Sequence, residues 1–123
     1  MSDEVKRIKV IDSHTAGEPT RVVVEGLPEF AEALASPADR RDFLRAQHDD
    51  LRTAVACEPR GHEAMVGAYL LEPTQSDCVA GVVFFNNVGY LHGCLHGTIG
   101  VTVTLAHLGR LSDGDNKIET PTG

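Results

Sequence analysis

The spacing of apolar and polar residues changes period along the chain, and the changes mark strands near both ends with helices between them. Ile8 and Val10 alternate with Arg7 and Lys9 within Val5–Asp12, a period of two that predicts a half-buried strand. Thr20–Glu25 predicts a second strand. Between them the polar and turn-forming run Ser13-His14-Thr15-Ala16-Gly17-Glu18-Pro19 predicts a loop. Pro28–Leu34 and Ser36–Ala56 read as helices; in the second, Ser36-Pro37 followed by Asp39 reads as an N-cap with proline in the first turn, and Phe43, Leu44, Leu51 and Val55 form its apolar stripe. Cys57-Glu58-Pro59-Arg60-Gly61-His62 interrupts the pattern as a second polar loop. Met65–Leu71 then reads as a strand or short buried segment, and Pro73–Cys78 as a turn.

The stretch Phe84–Leu105, FFNNVGYLHGCLHGTIGVTVTL, carries the most chemical information. Val82–Phe85 predicts a buried strand that Asn86, Asn87 and Gly89 interrupt. From Thr98 onward, Leu105, Ala106 and Leu108 followed by Gly109 favour a helix that stops at a glycine cap. Cys94 then falls at or next to a helix N-terminus. The first amides of a helix lack partners and carry roughly half a positive charge. A thiol there is expected to titrate below its ordinary value of about 8.5, and the same amides can hold a carboxylate or phosphate. The other reading of Cys94 is a small buried apolar group in a glycine-rich turn. His14 and Glu18 serve either a site or a tight turn; Glu58, Arg60 and His62 either orient a ligand or lock their loop. Leu111–Asn116 reads as a polar turn, and Ile118-Glu119-Thr120 as a short strand running into Pro121 and Gly123, the start of a connection.

Composition narrows the classes. The 123 residues suit one domain, and 41% hydrophobic with 24% charged residues is ordinary for a globular protein. A net charge of −7, with no basic cluster beyond Lys6-Arg7 and Arg40-Arg41, argues against a nucleic-acid surface. The three cysteines show no pairing pattern and the N-terminus lacks an apolar signal segment, so a cytoplasmic setting is expected. No apolar run approaches the roughly 20 residues a membrane span needs. His92-x-Cys94-x-His96 could present three zinc ligands on one face of an extended strand. The flanking glycines and the helix that follows count against this, and no metal site is predicted. A cysteine hydrolase pairing Cys94 with His14 or His62 lacks a recognisable third member.

Five segments together carry a family resemblance: DSHTAGEPTRVV at 12–23, EPRGH at 58–62 with MVGA at 65–68, GVVFFNNVGYL at 81–91, C-x-H-G-T-I-G at 94–100, and the closing IETPTG. In this order, and over nearly the whole chain, they resemble the N-terminal half of the proline racemase and 4-hydroxyproline 2-epimerase family. The resemblance implies an α+β fold of the diaminopimelate-epimerase kind, a curved, mostly antiparallel sheet wrapped around a central helix. Residues 1–123 would be a single N-terminal lobe of a two-lobed enzyme whose active site lies in the cleft between lobes. It also implies an isomerase that inverts the α-carbon of 4-hydroxyproline or proline without a cofactor, one cysteine removing the proton and a second, from the other lobe, donating to the opposite face. Cys94 matches the first cysteine. Leu95, His96 and Gly97 would offer backbone amides to the substrate carboxylate, and His14 and His62 complete the substrate-binding candidates.

Two departures stand out. The family turn usually reads Gly-Met-Cys-Gly-His-Gly, whereas here Leu95 occupies the glycine position in His92-Gly93-Cys94-Leu95-His96-Gly97. The second lobe's cysteine has no counterpart, since Cys57 and Cys78 stand in other contexts. The expected partners are therefore a small imino acid and a second lobe, supplied by more chain, by a separate protein, or by a second copy in a homodimer that opposes its Cys94. A related dehydratase lacks the first cysteine, so Cys94 favours racemisation or epimerisation. The alternative is an inactive half-enzyme or a lobe that only binds a small acid.

Overall fold

The computed structural model describes residues 7–31, 34–112 and 114–121. Among them are strands β1 (Lys9–Thr15), β2 (Glu18–Glu25), β3 (Val66–Leu71), β4 (Cys78–Phe85), β5 (Tyr90–Leu91) and β6 (Lys117–Glu119), with helices α1 (Pro37–Gln47), α2 (Asp49–Ala56) and α3 (Leu95–His107). The strands form one mixed sheet in the order β1-β2-β3-β4-β5, with β6 also paired to β4. β2–β3 and β4–β6 are parallel; the other three pairings are antiparallel. β4 borders β3 along one edge and shares its other edge between β5, at Phe84 and Phe85, and β6, at Cys78–Gly81.

Several local outcomes differ from the sequence pattern, each for a physical reason. The first strand begins at Lys9, with Arg7 and Ile8 outside it, and Val5 and Lys6 lie outside the described residues. The segment 13–19 is mostly strand: Ser13, His14 and Thr15 pair with Thr20, Pro19 and Glu18. Ala16 (φ 50°) and Gly17 (φ 90°) make a two-residue turn with both central residues left-handed, the geometry whose twist suits a hairpin. Pro19 needs no ladder partner on its far side, because β3 pairing begins only at Thr20. Residues 28–31 and 34 form no helix, and 32 and 33 lie outside the described residues. So short a segment is a poor helix on its own. Phe30 instead packs edge-on against Phe43, with ring centroids 6.0 Å apart, and lies under the guanidinium of Arg40. The long helix over 36–56 is two helices broken at His48 (φ −138°, ψ 32°), whose N–H bonds Leu44 O at 2.8 Å. Leu44 and Leu51, on either side of the break, both reach the core.

The Ser36 cap is formed as expected, its hydroxyl accepting from Asp39 N at 3.1 Å. β3 is buried on both faces, and β4 likewise from Ala80 on, as a near-continuous apolar run requires. One face of the sheet (Val22, Val66, Ala68, Leu70, Ala80, Val82, Phe84) packs against Val101 and Leu105 of α3. The opposite face (Val23, Tyr69, Leu71, Val83, Phe85) packs against Leu44, Leu51, Val55 and Ala56 of α1 and α2, a second helical layer that the sequence pattern does not place.

α3 packs closely on the sheet where Gly97 and Gly100 face it. A Cβ at Gly100 would stand 2.8 Å from Thr20 Cβ, and one at Gly97 would stand 2.9 Å from the Phe84 ring. The helix ends as predicted at Gly109 (φ 71°): Arg110 N bonds Leu105 O at 2.9 Å and Gly109 N bonds Ala106 O at 3.1 Å. At the far end of β4, the Glu119 carboxylate is 4% exposed and accepts from the Thr74 amide and hydroxyl, tying the 73–77 turn to β6. Arg52, also buried, grips Asp49 through Nε and Nη2 at 2.8 Å each and reaches Asn86 O with Nη1 at 3.1 Å, joining α2 to the β4–β5 turn. No helix among the described residues is long and apolar enough to cross a membrane.

Two stability outcomes follow from these contacts. Gly100→Ala gains about 1 kcal/mol of helix propensity but overpacks a fixed neighbour at a cost of roughly 1–3 kcal/mol. A net loss, read as a lower urea midpoint, is expected. The Arg52 guanidinium, chiefly by hydrogen bonding, holds the Asp49 carboxyl below its ordinary range. A lowered folded-state value stabilises above the ordinary carboxylate range and is lost as pH falls through the lowered one. Urea titrations at pH 6 and pH 3 should therefore show a larger acid loss in the native chain than in Asp49→Asn.

Candidate active site

The start of α3 defines the site. Cys94 is its N-cap in extended backbone (φ −160°, ψ 123°), and its carbonyl accepts from both Thr98 N at 2.9 Å and Thr98 Oγ1 at 2.8 Å. Its thiol makes no capping bond. The amides of Leu95, His96 and Gly97 precede the first amide that the helix itself satisfies, so they form a donor set suited to an anion. Cys94 Sγ instead lies 3.5 Å from His96 Nδ1 and 4.0 Å from Nε2. Both residues are half-buried. The Thr15 hydroxyl donates to His96 O at 3.4 Å, tying the helix start to the tip of the β1–β2 hairpin. Leu95 is 81% exposed and heads an outward apolar stripe with Ile99 and Val103.

Sheet topology gathers the other loops at this end. β2 and β3 both start here, with Thr20 opposite Val66, and β4 ends here, with Gly67 opposite Phe85. The hairpin tip, the 57–65 loop, the 86–89 turn and the start of α3 therefore share one end of the sheet. Among them, only His96 is brought to Cys94 by a hydrogen bond. His14 is exposed and its Nδ1 accepts from Gly17 N at 3.3 Å, so its ring closes the hairpin turn. His62 is exposed, its Nδ1 accepting from Ala64 N at 3.2 Å, and it lines a cavity of about 510 Å³ with Cys57, Glu58, Glu63, Ala64 and Asn87. Arg60 serves its loop: Nε donates to Ala54 O at 3.1 Å, and its carbonyl accepts from Arg21 Nη1 at 2.7 Å. Arg21 is itself clamped to Asp12 at 2.8 and 3.0 Å.

One contributor escapes sequence reasoning, and another is read there only as the interruption of a strand. Thr15 reads as one more loop residue until the hairpin places it against His96. Asn86 builds the β4–β5 turn by accepting from Val88 N at 2.9 Å and Gly89 N at 3.0 Å, and the asparagines before Gly89 are the available signal. The zinc alternative fails on backbone geometry, because Cys94 caps a helix and His96 lies in its first turn, so His92, Cys94 and His96 do not share a strand face. Among the described residues no three His, Cys, Asp or Glu side chains gather as metal ligands. What the helix start offers is a thiol beside an imidazole, next to amides that can hold a carboxylate.

Known proteins share this arrangement of segments. The family model for proline racemase matches residues 10–123. A 4-hydroxyproline epimerase of Burkholderia cenocepacia (strain HI2424) is 56% identical over 119 residues, covering 97% of this chain and 38% of that protein. The 4-hydroxyproline 2-epimerase of Xanthomonas campestris pv. campestris is 56% identical over 116 residues, 94% of this chain and 36% of its own length. The chain thus spans little more than a third of these relatives. In fold, it superposes on a hydroxyproline epimerase from Agrobacterium vitis solved with bound trans-4-OH-L-proline, with a TM-score of 0.75 and 23% identity, over 88% of this chain and 32% of that one. A phenazine biosynthesis protein of the PhzF family from Bacillus anthracis shares the fold more distantly, with a TM-score of 0.57 and 16% identity, over 94% and 33% of the respective chains. With the matched segments running from the first strand to the last, the chain belongs to the proline racemase family.

Proposed function

We propose that this chain is the N-terminal lobe of a cofactor-independent epimerase that inverts the α-carbon of 4-hydroxyproline or proline, with Cys94 moving the proton on one face of the substrate. The observation that carries the reading is the cap geometry of Cys94: an extended N-cap whose thiol is not spent on capping, beside His96 and next to three amides. A substrate carboxylate held on the amides of Leu95, His96 and Gly97 would bring its α-carbon near Sγ. The same amides would steady the charge that builds on the carboxylate as the α-proton leaves. His96 at 3.5 Å can exchange a proton with the thiol. His14 and His62 engage their own loops through Nδ1, which leaves Nε2 of each ring for the substrate.

Inversion needs an acid on the opposite face, and this lobe presents Cys94 from one side only. The 4-hydroxyproline epimerase relatives support the imino-acid substrate, and their extra length supports a second lobe. The exposed stripe of Leu95, Ile99 and Val103 supports it independently, since an α-helix that is apolar on both faces belongs inside a larger assembly.

Completed with the remaining residues of the Burkholderia relative, the chain is expected to epimerise trans-4-hydroxy-L-proline and exchange its α-proton with D2O, both followed by NMR. Cys94→Ala should lower both rates by about 10²–10⁴-fold; undiminished turnover in that variant would overturn the assignment. Thiol labelling gives a second readout on the chain alone. Burial, with Asp77 and Glu119 nearby, pushes the Cys78 thiol up, so iodoacetamide near neutral pH should modify Cys94 before Cys78, and His96→Ala should narrow the gap in peptide-mapped rates.

A further inference from the structure

We infer that a small oxyanion of the phosphate type binds between α1 and β5, in a pocket of about 140 Å³ lined by Arg41, Arg45, Tyr90, Leu91 and His92. The pocket is separate from the helix start that holds Cys94, and the inference does not rest on the epimerase reading.

The case begins with how the arginines of this chain are used. Arg21 spends Nε, Nη1 and Nη2 on Asp12 and on the carbonyls of Val55 and Arg60. Arg52 spends the same three nitrogens on Asp49 and Asn86 O. Arg41 and Arg45 differ. Both lean on a single oxygen, Asp42 Oδ1, at 3.2 and 2.9 Å respectively. One carboxylate oxygen therefore serves two guanidiniums, and most of their N–H groups are left over.

Those two cations sit four residues apart on one helix face, where like charges repel. The side chain of Arg41 is only 19% exposed, so water relieves that repulsion poorly. His92 adds a ring with no hydrogen-bond partner among the described residues, and it lines the same small pocket. Guanidinium forks match the spacing of oxygens on a tetrahedral oxyanion and bind it in pairs. A multi-oxygen anion would engage both forks at once and offset their repulsion, and the pocket has room for a group of phosphate size. Asp42 then acts as a built-in competitor, a weak occupant that a better anion displaces.

The test is an NMR titration of the arginine Nε–Hε signals of the full chain with sodium phosphate, against sodium chloride at matched ionic strength. Saturable shifts at Arg41 and Arg45, with Arg21 and Arg52 unmoved, are expected. Arg45→Gln should weaken phosphate binding about tenfold, the loss of one charge-assisted pair. Asp42→Asn should tighten it several-fold by removing the competitor, an effect that unfolding or general charge screening cannot imitate. Equal responses to phosphate and chloride would overturn the inference, as would unchanged affinity in Arg45→Gln. An Asp42→Asn chain that binds phosphate no tighter than the native chain would also count against it.

Discussion

The close contact between α3 and the sheet is the constraint on which the rest of the fold depends. Helices pack at distances set by the side chains between them and their neighbours, and Gly97 and Gly100 remove those side chains where α3 crosses Phe84 and Thr20. The consequence reaches beyond packing. It fixes the height of the helix start above the sheet, and with it where Cys94 and His96 stand relative to the hairpin tip. Thr15 can reach His96 O only because the helix has come that near. The glycines are thus as much a part of the site's geometry as the thiol they position.

The opposite face of the sheet has a different task. There α1 and α2 close the core around Tyr69, Val83 and Phe85, and Arg52 carries a hydrogen bond from α2 into the β4–β5 turn. That turn leads through β5 and His92 to Gly93 and Cys94. The layer remote from the candidate site therefore still braces the segment leading to it, through a guanidinium whose three nitrogens are all engaged.

Much of this was legible in the sequence, and the failures are instructive. The apolar run before Asn86 and the glycine stop at Gly109 marked the last strand and helix of the central stretch, because burial and left-handed backbone each admit few residue types. Cys94 could be placed at a helix start by the same logic. The hairpin at 13–19 was hidden because an edge strand half-open to water tolerates polar residues, so its composition resembles a loop. The break at His48 was hidden because a helical stripe continues in phase on both sides of it. That His14 and His62 bond their own loops, and that Thr15 meets His96, depends on tertiary placement that no local pattern encodes.

The hydrogen bond from Thr15 to His96 joins residues 81 positions apart in the sequence. β2 and β3 are parallel, so the chain must cross over between them, and α1 and α2 lie in that crossover. Contacts of such long sequence separation form late, after local helices and hairpins have already paid the entropy of closing shorter loops. The helix start that carries Cys94 is therefore held against the hairpin tip by a contact that exists only where the sheet has brought β1 and α3 together, whereas the pairing of Cys94 with His96 is local to the first turn of the helix.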